Sequence, residues 1–123
     1  MKRDLDLIRD MMLRIEACHP KDGKITSETF KDLCDDEEKV AFHLFLLYDV
    51  GFIVAEPVKS SMMYFPDYVV EYLTFIGCDY LDSIRDQSVW NSIKEKLRRI
   101  GGNATLDILT DLASSLLREQ LKL

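Results

Sequence analysis

The chain has 123 residues, of which 47% are hydrophobic and 31% charged, and its net charge is −6 at pH 7. This length and composition predict one soluble globular domain, and they exclude a membrane span because the longest uncharged apolar run, 40–48, is far shorter than the roughly 20 residues a spanning helix needs. The acidic balance argues against nucleic acid as a partner, because phosphate backbones attract Lys and Arg. No apolar core follows the basic N-terminus, so we expect no signal peptide and a cytoplasmic location.

Amphipathic patterns predict three helices in the first fifty residues. The first, over residues 3–18, has apolar residues at three- and four-residue spacing: Leu5, Ile8, Met12 and Ile15. Pro20 and Gly23 end it. A short second helix is expected, capped by Thr26 or Ser27 and buried through Phe30 and Leu33.

The third predicted helix begins with four acids, Asp35-Asp36-Glu37-Glu38. We expect Asp35 to accept from the amide of Glu38, and carboxylates here stabilise the positive end of the helix dipole. Gly51 ends the helix in a left-handed turn. Val40, Leu44 and Leu47 form the inner stripe, and a second set of apolar residues lies off it: Phe42, Phe45, Leu46 and Tyr48. Either another layer of the chain, such as C-terminal helices, or a partner therefore covers this helix.

Two β-branched and aromatic runs predict a hairpin with a long tip. The first strand covers 52–55 and is broken by Pro57, and the second covers 68–73. The tip is unusually apolar for a loop, with Met62, Met63, Tyr64 and Phe65. These side chains either fold back on the core or form a contact surface.

Three more helices are predicted after the hairpin. One is capped by Thr74 and runs to Ile84, the next covers 87–99 and ends before Gly101, and the last is capped by Asn103 or Thr105. The middle one carries basic residues that we interpret as a solvated face: Lys94, Lys96, Arg98 and Arg99. The last has an apolar stripe, Leu109, Leu112, Leu116, Leu117, Leu121 and Leu123, whose members Leu116, Leu117 and Leu121 are candidate homodimer contacts.

The order helix, helix, helix, hairpin is that of a winged helix-turn-helix domain. We therefore predict an α+β, mainly helical fold in a single domain, with a winged-helix core over 1–73, the β-hairpin as the wing, and two to three C-terminal helices over 74–123. If the third helix is the recognition helix, the candidate contacts with DNA or a protein partner are Asp36, Glu37, Lys39, Phe42, His43, Phe45 and, on the wing, Lys59.

Two segments, MKRDLDLIRD at the start and LTFIGCDYLDSIRDQSVW from Leu73 to Trp90, carry a more specific resemblance. The chain resembles an uncharacterised bacterial and phage family, a domain of unknown function, whose members start MKRDMDLIR and carry an LTWEGHDFLD-like segment followed by an Ile-Arg pair and a Trp. Phe75, Ile76 and Cys78 depart from that family's Trp, Glu and His. The resemblance implies a winged-helix fold and a phage or mobile-element setting, and it implies no reaction. The matching positions are Lys2, Arg3, Asp4, Leu7, Ile8, Arg9, Leu73, Thr74, Gly77, Leu81, Asp82, Ile84, Arg85 and Trp90.

No pattern in the sequence predicts catalysis or a cofactor. Three widely spaced cysteines and two scattered histidines make no zinc motif, and there is no Gly-rich phosphate loop, GxSxG or HExxH. We predict a non-catalytic module acting through protein–protein contacts, as a homodimer or as an inhibitor of a host protein by acidic DNA mimicry. The alternative is a sequence-specific transcriptional regulator that binds double-stranded DNA.

Overall fold

The structure is a computed structural model that describes residues 1–59 and 64–122. Its fold is α+β and mainly helical, as the sequence predicts, with five α-helices and one two-stranded antiparallel sheet in the described ranges. The chain divides into two compact units, Met1–Cys78 and Asp79–Leu123. The predicted tip residues Met62 and Met63 and the terminal Leu123 lie outside the described residues.

The first unit starts with helix α1 (Leu5–Ala17), which begins later than predicted because Asp4 is its N-cap. The Asp4 Oδ1 accepts a hydrogen bond of 3.1 Å from the Leu7 amide, and such a bond satisfies one of the unpaired N–H groups of the first turn. The predicted apolar face is buried at Ile8, Met12 and Ile15.

Two 3₁₀ turns follow, Pro20–Asp22 and Ser27–Phe30, and the second stands where a short helix was predicted, with Thr26 at its N-cap. It is a 3₁₀ turn and not an α-helix because so short a segment cannot offset the cost of nucleating an α-helix, whereas 3₁₀ turns are stable in short pieces. Phe30 is nevertheless fully buried. Arg14 of α1 holds the turn in place, donating to the Thr29 carbonyl at 2.7 Å and to both Asp32 carboxylate oxygens at 2.9 and 2.7 Å.

Helix α2 (Glu37–Val50) is capped by Asp36, whose Oδ1 accepts from the Lys39 amide at 3.2 Å. The predicted cap, Asp35, was therefore wrong by one residue. Gly51 ends the helix in the left-handed conformation, with φ of 83°, and this prediction is confirmed. The stripe Val40, Leu44 and Leu47 is buried.

Strand β1 (Ile53–Val58) pairs with strand β2 (Asp67–Leu73) as the predicted hairpin, but β1 continues through Pro57, which was predicted to break it. Proline is tolerated at a sheet edge because its missing N–H has no partner strand there. β2 has the inner position, because on its other side the Val70 amide donates to the Ile25 carbonyl at 2.8 Å. β1 is thus an edge strand of the described sheet.

Helix α3 (Phe75–Ile84) begins directly after β2, and Thr74 caps it as predicted, its hydroxyl oxygen accepting from the Gly77 amide at 3.1 Å. The second unit contains helices α4 (Gln87–Arg98) and α5 (Leu106–Leu121), capped by Asp86 and Thr105, which pack against each other. No helix within 1–59 or 64–122 has the length and apolar character that crossing a membrane requires.

Candidate functional site

The predicted contact residues of α2 and the wing lie in different environments. Asp36 and Glu37 are exposed at the N-terminus of α2, and Lys59 is exposed just beyond β1. Phe42 and Phe45 are half-buried along the helix. The remaining two, Lys39 and His43, are engaged with α1.

His43 is fully buried and both of its ring nitrogens have partners in the chain. Its Nε2 accepts from the Asp4 amide at 2.8 Å, so Nδ1 carries the proton and donates to the Lys39 carbonyl at 2.7 Å. Burial lowers the pKa of His43 below its ordinary value, because a charged imidazolium is poorly solvated inside the protein. In this structure His43 therefore joins two helices and is not on the surface that a partner would contact.

Lys39 completes this connection, which we call the Asp4 latch (Asp4, Lys39 and His43). The Lys39 Nζ lies 3.0 Å from the Asp4 Oδ2, and this hydrogen-bonded ion pair raises the pKa of Lys39. Burial by itself raises the pKa of Asp4, but the Leu7 amide and the Lys39 ammonium outweigh it and lower that pKa overall. The one Lys or Arg of the predicted contact set on α2 is thus engaged with the carboxylate of Asp4, the N-cap of α1.

The aromatic side chains of α2 that lie off its inner stripe, Phe42, Phe45 and Tyr48, form what we call its aromatic flank. This flank is partly covered by other residues of the same chain. The Phe65 ring lies 5.2 Å from the Phe42 ring and 5.5 Å from the Phe45 ring, measured between centroids, and Tyr48 packs similarly on Tyr68 at 5.2 Å. The position of Phe65 agrees with the interpretation in which side chains of the hairpin tip fold back on the protein. Its neighbour Tyr64 remains 89% exposed.

The negative charge of the protein belongs to the first unit. Residues 1–78 contain nine Lys and Arg against 15 Asp and Glu, a net charge of −6, whereas residues 79–123 contain seven of each and are neutral. The exposed acids at the N-terminus of α2 therefore lie in a unit that is acidic as a whole. The basic residues predicted on a solvated face are in the neutral unit, where Arg98 pairs with Glu95 at 2.9 Å.

The candidate dimer residues of α5 are unevenly exposed. Leu121 is 81% exposed, while Leu116 and Leu117 are half-buried. The buried positions of this helix are Leu109 and Ala113. Half-buried leucines beside an exposed one leave apolar surface on α5.

Sequence reasoning missed four exposed apolar side chains on the segments where the chain passes between α2, the hairpin and α3. They are Val50, Tyr72, Phe75 and Ile76. The available signal was Phe75-Ile76 at the start of a helix, directly after a capping threonine, since the first turn of a helix ordinarily carries polar residues. Among the described residues, no group of three or more His, Cys, Asp or Glu side chains is placed to hold a metal ion.

Comparison with known proteins gives a family and a relative. The model of the family described as "Hypothetical protein (DUF2513)" matches residues 2–103. An uncharacterized protein of Haemophilus influenzae is 31% identical over 121 residues, which cover 98% of this chain and 99% of the relative. No solved structure gives a significant match to the chain.

Proposed function

This chain belongs to the DUF2513 family, and we propose that it is a non-catalytic winged-helix binding module that acts through protein–protein contacts. In this proposal it works in the cytoplasm in a phage or mobile-element setting, as a homodimer or as an inhibitor of a host protein. The resemblance of its N-terminal and central segments to a bacterial and phage family supports the setting.

The element order of the first unit supports the winged-helix part of the proposal. α1, a helical turn, α2 and a β-hairpin follow one another, and Ile25 adds a third, one-residue strand beside β2. The second helix of such a domain would here be the 3₁₀ turn Ser27–Phe30. In this arrangement α2 takes the place of the recognition helix and the hairpin takes the place of the wing.

The observation that carries the proposal is the charge at the N-terminus of α2. A DNA-reading helix contacts base edges with the residues of this end, between the two phosphate backbones of the groove, yet here the exposed side chains are Asp36 and Glu37, and Lys39 is paired with Asp4. Carboxylates at this place repel phosphate and attract a protein surface that itself binds phosphate. This distribution favours a protein partner and supports inhibition by acidic DNA mimicry.

Self-association through α5 supplies the homodimer part of the proposal, because its candidate contacts retain exposed apolar surface. Leu121→Glu is expected to convert a dimer to monomer in sedimentation equilibrium, while Lys122→Glu, which changes charge at the adjacent exposed position, leaves it dimeric. A wild-type protein that is monomeric at all concentrations tested contradicts the homodimer.

Duplex binding separates the proposal from its alternative, a sequence-specific DNA-binding regulator. We expect no change in the anisotropy of a fluorescein-labelled random duplex at 50 mM salt, even at high protein concentration. Binding at low salt that weakens steeply as salt rises would favour the regulator, because that dependence reports displacement of counterions from phosphates.

Affinity capture from host lysate tests the acidic end directly. The double variant Asp35→Asn/Glu37→Gln removes two exposed charges and leaves the Asp36 cap intact. A protein captured by wild type and by the control Asp111→Asn/Glu119→Gln, but lost from the double variant, agrees with the proposal. Equal capture by all three contradicts the role of this end of α2.

A further inference from the structure

Four large apolar side chains are exposed at one end of the hairpin, and we call them the junction patch: Val50 (41% exposed), Tyr72 (58%), Phe75 (82%) and Ile76 (53%). They come from the last turn of α2, the end of β2 and the first turn of α3. All four belong to the first unit. Exposed apolar side chains that lie together mark a contact surface, whereas single ones scattered over a protein surface are ordinary.

The junction patch is held by backbone contacts. The Thr74 hydroxyl donates to the Gly51 carbonyl, and the Thr74 amide donates to the Phe52 carbonyl at 2.9 Å. Gly77 is buried against the same residue, since a Cβ at this position would lie 2.2 Å from the Phe52 carbonyl oxygen. The first turn of α3 therefore rests directly on the chain between α2 and β1, and a surface fixed in this way loses little conformational entropy on binding.

A β-bulge turns Tyr72 to the exposed face of the hairpin. Ala55 pairs with Val70, whereas its neighbour Val54 pairs with Tyr72, so Glu71 is the extra residue of β2. Regular alternation would put Tyr72 on the same face as the buried Val70, and the bulge reverses the alternation. Tyr72 thus points to the outer face of the hairpin, opposite to Val70.

The charges around the junction patch define what it would bind. The single Lys or Arg of residues 40–78 is Lys59, which follows the far end of β1, roughly 20 Å away by strand geometry. Asp49 and Glu71, both exposed, adjoin Val50 and Tyr72 in the chain. The patch thus has an apolar centre with acids beside it.

We infer that the junction patch docks a partner protein through an apolar surface flanked by lysines or arginines. Pairing of two junction patches in a symmetric dimer is disfavoured, because the acids beside the patch of one copy would face the same acids of the other copy. This inference rests on the proposed function only in that both take a protein as partner, and the junction patch lies at the opposite end of α2 from Asp36 and Glu37.

A designed peptide probes the chemistry without a known partner. The probe is a fluorescein-labelled 18-residue amphipathic helix of leucine and lysine, and a leucine–glutamate peptide of the same pattern is its charge control. We expect the leucine–lysine peptide alone to bind the full chain, with amide chemical-shift changes in ¹⁵N-labelled protein centred on 49–51 and 71–76.

Variants assign the binding to the patch. Phe75→Ser/Ile76→Ser is expected to weaken binding at least about tenfold, and Glu71→Gln to weaken it severalfold at low salt only. Ile100→Ser and Asp111→Asn remove an exposed apolar group and an exposed charge elsewhere, and they are expected to leave the affinity unchanged. Circular dichroism of each variant shows whether the fold is retained, and Ile76→Ser alone is the second variant if the double one unfolds.

Three results would overturn the inference. Equal binding of the leucine–glutamate peptide removes the charge selectivity. Shift changes centred on 35–38 place the contact at the other end of α2, in which case the proposed function survives and the junction patch does not. A wild-type dimer that Phe75→Ser/Ile76→Ser dissociates shows that a second copy occupies the patch.

Discussion

Replacing His43 by leucine tests whether the Asp4 latch fixes α1 on α2. The imidazole accepts the Asp4 amide at 2.8 Å, and leucine leaves that amide facing an apolar group of similar size. An unsatisfied buried donor costs about 1–3 kcal/mol. A loss of about 2 kcal/mol corresponds to a fall in Tm of roughly 8 °C for a protein of this size. The exposed His19 provides the matched control, and His19→Leu is expected to shift Tm by about 2 °C or less.

The pH dependence of stability tests whether His43 is buried as the neutral imidazole. The folded-state pKa of His43 lies below the unfolded value of 6.5, so below pH 6.5 the unfolded chain takes up the proton first. The stability that His43 supplies is therefore complete above pH 6.5 and is lost as the pH falls towards the folded pKa, by at most about 1.4 kcal/mol per pH unit.

Urea unfolding followed by circular dichroism between pH 7 and 5 measures both effects. The gap in unfolding free energy between wild type and His43→Leu is expected to be largest at pH 7 and to narrow towards pH 5. Hydrogen exchange adds a local measurement, because the Asp4 and Leu7 amides are expected to exchange faster in the variant. A gap that stays constant over this range, or an equal loss in His19→Leu, would refute the role of the latch.

Two further substitutions test close packing in the first unit. Gly77→Ala places a Cβ 2.2 Å from the Phe52 carbonyl oxygen. We expect it to lower the free energy of unfolding in urea by about 2 kcal/mol, although alanine has the better helix propensity. Its control is Cys78→Ala at the exposed next position, which is expected to be neutral or slightly stabilising. Phe65→Ala uncovers the aromatic flank of α2 and is expected to lower the unfolding free energy by about 1–2 kcal/mol, whereas Tyr64→Ala at the 89% exposed neighbour is expected to change it by less than about 0.5 kcal/mol. If a substitution and its control lowered the unfolding free energy equally, the contact that the substitution changes would not be the cause of the loss.

The helices could be predicted because their signals are local. Periodic apolar residues and strong end signals, such as Gly51 and Thr74, lie within a few residues of each other, and the structure places both as predicted. The cap of α2 was misplaced by one residue because Asp35 and Asp36 are chemically equivalent, so only tertiary geometry chooses between them. Pro57 misled because sequence alone does not distinguish an edge strand from an inner one.

The contacts of His43 and Phe65 could not be predicted, because neither has a local signal. His43 meets Asp4 across 39 residues, and its position beside the buried stripe of α2 indicates burial but not which backbone amide it accepts. Phe65 belongs to a loop whose apolar character is equally compatible with exposure and with packing on α2. For the same reason, the sequence did not decide whether another part of the chain or a partner covers the aromatic flank of α2.

The structure limits how any partner approaches α2. Its inner stripe is in the core, its first turns are fastened to α1 by the Asp4 latch, and its aromatic flank lies under Phe65. A ligand that contacts Phe42 and Phe45 must first displace Phe65, whereas a ligand at either end of α2 need not. The two ends are separated by the 14 residues of α2, about 21 Å. Variants at the Asp36 end and at the Val50 end are therefore far enough apart to act independently, and comparing them assigns a captured partner to one end or the other.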